Sequence, residues 1–370
     1  MSALRAPVTC AALCMLAGFA AQAADGDASQ RAPRDSLLVL VQADALVASK
    51  PDPAADPQDP AAGAALRLRR LRAGEDLALG DFRLRVLFEA AADTAAGAPF
   101  PPLAGGRLPF GGPVRTTETY VSWAPARAFH VDAGSLRVAF SLARQIDEGD
   151  LRLPERAAFA DAFLPDFRLG AAIGGDLGEL AYSAAVMSAD PVLDAGLFDR
   201  GVLVAGRLVA EPLGPVGLTP WRRAPSDPWY GWFRFAGGLS VLYGTVAAPD
   251  TLAVDPDFTA QWRSLVVTAE YLYAARFRGT AVVPGSAEQG AAVEPGVTLF
   301  ARRLDLVARG DWSRANAADV WGAGAGLTAY APDPRLRLHA GLERRWGMGT
   351  PAAGGDSSYW AIVRLAVVAN

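Results

Sequence analysis

The residues Arg303-Leu304-Asp305-Leu306-Val307-Ala308-Arg309-Gly310-Asp311-Trp312 constrain the fold more than any other stretch of the chain. Their charges (Arg303, Asp305, Arg309, Asp311) fall on one parity, and apolar or small residues (Leu304, Leu306, Ala308, Gly310, Trp312) fall on the other. Successive strand side chains point to opposite faces, so this is a strand with one wet and one dry side. In a soluble sandwich the dry side faces a second sheet. In an outer-membrane barrel it faces lipid, the wet side lines a lumen, and an aromatic residue marks the interface.

The pattern recurs. Arg83, Arg85 and Glu89 oppose Phe82, Leu84, Val86 and Phe88. Thr268 and Glu270 oppose Leu265, Val267, Ala269, Tyr271 and Tyr273. Arg335, Arg337, His339, Glu343 and Arg345 oppose Leu336, Leu338, Ala340 and Leu342, and Arg364 stands alone against Val363, Leu365 and Val367. Between Gly/Pro-rich breaks lie about sixteen strand-sized pieces, from Leu37–Val47 to Tyr359–Ala369, with little sign of helical periodicity. An even number suits a single-chain bacterial barrel. Dry faces that mix Leu and Val with Ala, and Trp or Tyr near strand ends, favour a lipid-facing wall over a secreted soluble sandwich that binds ligands.

The first 23 residues read as a secretory signal: Arg5, then the apolar run Val8 to Ala20, then Ala21-Gln22-Ala23 before the cut. That leaves 24–370 as one barrel, with 51–63 an exposed loop rich in Pro, Asp and Ala. The only cysteines, Cys10 and Cys14, lie in the signal, so a mature chain has neither disulfides nor thiolate metal sites. No later run reaches the ~20 apolar residues of a membrane helix, so any span is built from strands. With a net charge of −4 and a single lysine, Lys50, the chain shows no nucleic-acid footprint. No cofactor is implied.

The stretch Leu142–Pro165 is too long and mixed for a tight turn. Around it stand Ala139-Phe140-Ser141, Glu155-Arg156 and Asp166-Phe167-Arg168-Leu169-Gly170. In order along the chain come Val41-Gln42-Ala43-Asp44, Leu68-Arg69-Arg70-Leu71-Arg72, Gly206-Arg207-Leu208 with Pro212-Leu213-Gly214-Pro215, and Trp262-Arg263-Ser264-Leu265 to Glu270-Tyr271-Leu272-Tyr273. Taken together, these resemble the phosphate-selective porin O/P family across most of the mature chain. The resemblance implies a sixteen-stranded outer-membrane barrel, commonly a homotrimer, whose third loop (142–165 here) folds inward as a constriction. It also implies passive passage of small anions such as phosphate. Phosphate-selecting members use lysine-rich arrays, which this chain lacks.

If the loop enters the lumen, Arg137, Arg144, Arg152 and Arg156 are the candidate constriction residues, since guanidinium groups focus a positive field and bond two oxygens at once. The competing reading pairs them with Asp147, Glu148, Asp150 and Glu155 and makes a weakly selective general pore or a purely structural barrel. Arg83, Arg85, Arg309, Arg337, Arg345 and Arg364 are candidate lumen-wall residues, or else partners of Glu89, Asp305, Glu270 and Glu343 across the wall. Gly322, Gly324 and Gly326 read as a strand face made small to accept an inward loop. With two histidines and no Gly-x-Ser-x-Gly elbow, the chain carries no enzyme signature.

Overall fold

A computed structural model gives the fold. It describes the strands, most joining turns and much of the 138–160 segment. Residues 1–33, 49–62, 92–113, 147–150, 155, 158, 161–166, 190–200, 215, 217–231, 246–249, 279–280, 284–286, 301–302, 316–317, 331–335, 349–357 and 370 lie outside the described residues, and with them the expected signal (1–23) and all of the expected 51–63 loop but Gly63, which begins a strand.

Sixteen long strands follow one another. They are β1 (Arg34–Ala48), β2 (Gly63–Leu79), β3 (Phe82–Ala91), β4 (Val114–Ala126), β5 (Phe129–Arg137), β6 (Phe167–Asp176), β7 (Leu180–Ser188) and β8 (Val202–Ala210). The second half comprises β9 (Phe233–Thr245), β10 (Asp250–Trp262), β11 (Leu265–Arg278), β12 (Glu288–Leu299), β13 (Leu304–Ala315), β14 (Ala318–Tyr330), β15 (Leu336–Met348) and β16 (Ser358–Ala369). Ala281–Val282 adds two paired residues to the end of β11. Each strand pairs antiparallel with the next, and β16 returns to β1 with Val39 opposite Ala369 and Ala48 opposite Trp360. The sheet is therefore a closed barrel with no free edge, as the strand pattern predicts. Closure also removes the soluble sandwich from consideration.

Parity sorts the two surfaces. Leu84, Val121, Val241, Leu306, Leu338 and Leu342 are exposed on the outside. The opposite parity carries Arg72, Glu89, Asp255, Asp305, Arg309 and Glu343, all buried. Exposed leucine and valine on one side with buried charge on the other inverts the arrangement of a water-soluble barrel, so the outer wall meets hydrocarbon. Near one rim, Trp312, Trp321 and Trp346 lie side by side in register across β13, β14 and β15. That row marks an interfacial aromatic girdle.

Short reversals close one end of the barrel. Gly80 (φ 57°) and Gly178 (φ 90°) supply the left-handed residue in two of them. Apart from 211–232, the long connections emerge at the other end. The third of these, between β5 and β6, positions the site.

Candidate functional site

After Arg137 the chain does not leave the barrel mouth. Val138, Phe140, Leu153 and Phe159 are at most 1% exposed, against inward-facing residues of the wall. Val138, Phe140 and Phe159 share one cluster with Met187 on β7, Leu203 and Ala205 on β8, Leu242 on β9 and Leu272 on β11. On β7 and β8 the inner parity thus changes from polar to apolar where the segment seats. Burial of such side chains is worth about 1.5–3 kcal/mol each.

Farther round the wall, glycines make room. A Cβ on Gly290 would sit 2.4 Å from Phe159 Cβ, one on Gly326 2.8 Å from Leu153 Cδ2, and one on Gly341 2.9 Å from Pro154 Cδ. Gly326 does meet the inward segment, as its strand pattern predicts. Gly322 and Gly324 instead make room for the Asp311 and Glu343 side chains.

Polar contacts fix the segment at two places. At its root, Ser141 takes φ 72° and ψ 134°, a conformation disfavoured for L-residues. Its hydroxyl donates to Glu270 Oε1, and its N–H donates to Ser240 Oγ at 3.2 Å. The Ala143 N–H donates to Glu270 Oε2 at 3.0 Å, just inside the one-turn helix Leu142–Gln145. Glu270 on β11 and Ser240 on β9 stand well round the wall from β5, so these bonds carry the segment across the lumen. Farther along, Thr328 Oγ1 on β14 donates to the Arg152 carbonyl at 3.0 Å and lies 2.8 Å from His339 Nδ1.

The four predicted constriction arginines are brought together, largely as braces. Arg137 pairs with Glu118 at 2.8 Å and donates to the Arg144 carbonyl at 2.8 Å. Arg144 Nε donates to the Ala160 carbonyl at 3.0 Å. Arg156 donates to the carbonyls of Ala143 at 3.0 Å and Ile146 at 2.8 Å. Arg152 stands 3.9 Å from Glu294 on β12. The acids proposed as their partners, Asp147, Glu148, Asp150 and Glu155, lie outside the described residues.

Four of the six wall arginines, Arg83, Arg85, Arg309 and Arg345, form ion pairs. Arg83 pairs with Asp76, Arg85 with Glu118 at 3.1 Å, Arg309 with Glu343 at 2.6 Å and Asp311 at 3.3 Å, and Arg345 with Glu343 at 3.6 Å. Arg337 lies over the Tyr330 ring at 6.0 Å, and Tyr330 donates to Asp305 at 2.9 Å. Arg364 falls on β16 opposite His339, its side chain outside the described residues. Two expected pairings differ. Glu89 takes Arg72 rather than Arg83 or Arg85, and Glu270 is occupied by the inward segment instead of an arginine.

Sequence reasoning gave Glu270 an arginine partner and assigned no site role to Ser141, Asp257 or Arg207. Arg207 bridges Asp257 at 2.5 and 3.0 Å and Ser240 at 2.8 Å, beside the Ser141 anchor. A signal was available: part of the inner parity of β7 and β8 is apolar, Ala185 and Met187 on one and Leu203 and Ala205 on the other, where a strand lining water would carry polar residues.

No family model and no curated protein sequence matches the chain. Solved structures match over nearly its whole length. An anion-selective porin from Comamonas acidovorans is 10% identical, with 91% of this chain and 100% of that chain covered and a TM-score of 0.56. OprB of Pseudomonas putida is 10% identical, with coverages of 91% and 94% and a TM-score of 0.59. OmpT of Vibrio cholerae is 10% identical, with coverages of 93% and 99% and a TM-score of 0.54. At such identities the likeness is one of fold. The chain has the closed sixteen-stranded architecture of bacterial outer-membrane porins, and its apolar outer wall belongs in that membrane.

Proposed function

We propose that the protein is an outer-membrane porin through which small hydrophilic solutes diffuse down their gradients, with a preference for anions. The observation that supports this reading is the inward segment, which crosses a barrel lined with paired charges and narrows it where Arg137, Arg144, Arg152 and Arg156 gather. Such a passage needs a hydrated path and fixed charges that replace part of an ion's hydration, and no covalent chemistry.

The preference for anions, phosphate among them, also draws on the resemblance to the O/P family and on guanidinium geometry. Most of these guanidiniums already hold carboxylates or loop carbonyls, which limits the field left for a solute and favours modest selectivity. Trimeric assembly belongs to the same reading.

Reversal potential across a planar bilayer under a KCl gradient tests the proposal. An anion-selective sign is expected, reduced in the Arg137→Ala, Arg156→Ala double variant. A cation-selective sign removes the anion preference, and absence of any conductance removes the porin.

A further inference from the structure

Between the inward segment and the wall of β11–β13 lies a cavity of about 60 Å³, against the roughly 10–15 Å³ that one water requires. Its charged lining is Arg152, Arg156, Arg309, Glu270 and Glu294. Four of these are engaged or distant. Arg156 donates to loop carbonyls, Arg309 to Glu343 and Asp311, and Glu270 accepts from Ser141 and Ala143. Glu294 approaches no closer to Arg152 than 3.9 Å.

Arg152 is the exception. It is 6% exposed, and its Nε, Nη1 and Nη2 atoms have no hydrogen-bond partner among the described residues. A buried guanidinium with unmet donors beside an unfilled space is costly, and the cost falls when an acceptor enters. The rest of the lining is largely aliphatic, including Leu142, Leu151 and Val266.

We infer that this cavity is a subsite for a small organic monocarboxylate. Its two oxygens accept from the Arg152 fork and its short hydrocarbon end lies against Leu142 and Val266. Inorganic phosphate fits less well, because the oxygens turned toward Leu142 and Val266 would lose water without gaining donors. The inference rests on the porin reading only in that the solute reaches the cavity from the lumen.

Calorimetric titration of the folded full-length chain in detergent, with butanoate, butan-1-ol and phosphate as separate probes, tests it. Butanoate is expected to bind, at least ten-fold more weakly to Arg152→Gln and more tightly to Glu294→Gln, which lacks the nearby competing carboxylate. Heat-modifiable migration on gels verifies that each variant is folded, and if Arg152→Gln is not, the Glu294→Gln comparison decides. The subsite is overturned by no butanoate binding, by butan-1-ol or phosphate binding as tightly, by an unchanged Arg152→Gln, or by no tightening in Glu294→Gln. Conductance of the unaltered channel in chloride is read separately, so loss of the subsite and loss of the porin are distinguishable.

Discussion

Ser141 occupies a backbone region that costs a non-glycine residue about 1–3 kcal/mol, and Glu270 offsets that cost. A carboxylate accepting from a hydroxyl and a backbone N–H supplies about 1.5–3 kcal/mol per bond. Glu270→Ala removes both acceptors, so the root of the inward segment should detach while the barrel stays closed. Single-channel recording should then show a noisier and larger open-state current, with Glu270→Gln intermediate and heat-modifiable migration unchanged. At Gly290 the wall approaches Phe159 too closely for any larger side chain. Gly290→Val should push the ring from its seat, and a protease should then cut near Phe159 in a chain that resists it otherwise.

At the scale of the element, the strands could be read from the sequence because their signal is local. A period of two needs only neighbouring residues, and each strand-sized piece found that way corresponds to a strand of the barrel. The seat of the inward segment was half legible. Its length and Gly326 pointed inward, but the Ser141–Glu270 bond joins residues 129 positions apart, and nothing beside either names the other. Parity also sets how each strand tolerates change. Leu342, 58% exposed on the outer face of β15, should not accept arginine. Leu342→Arg at mid-wall should cost about 2–4 kcal/mol, read as a lowered urea midpoint for unfolding from lipid vesicles.

On the scale of the whole molecule, the wall turns grease outward and charge inward, so the chain from residue 24 onward should stay folded only in detergent or lipid. Sedimentation in plain buffer checks this, and a monodisperse folded species there contradicts the lipid-facing wall. The inward segment has a further consequence for assembly. It leaves from β5, yet its anchors Ser240, Glu270, Gly290, Thr328 and Gly341 all come later in the chain. The crossbar cannot settle until the second half of the cylinder has been laid down. Pulsed proteolysis during refolding should therefore find Val138–Ala160 cleavable after the first hairpins are already protected, with resistance there arriving last.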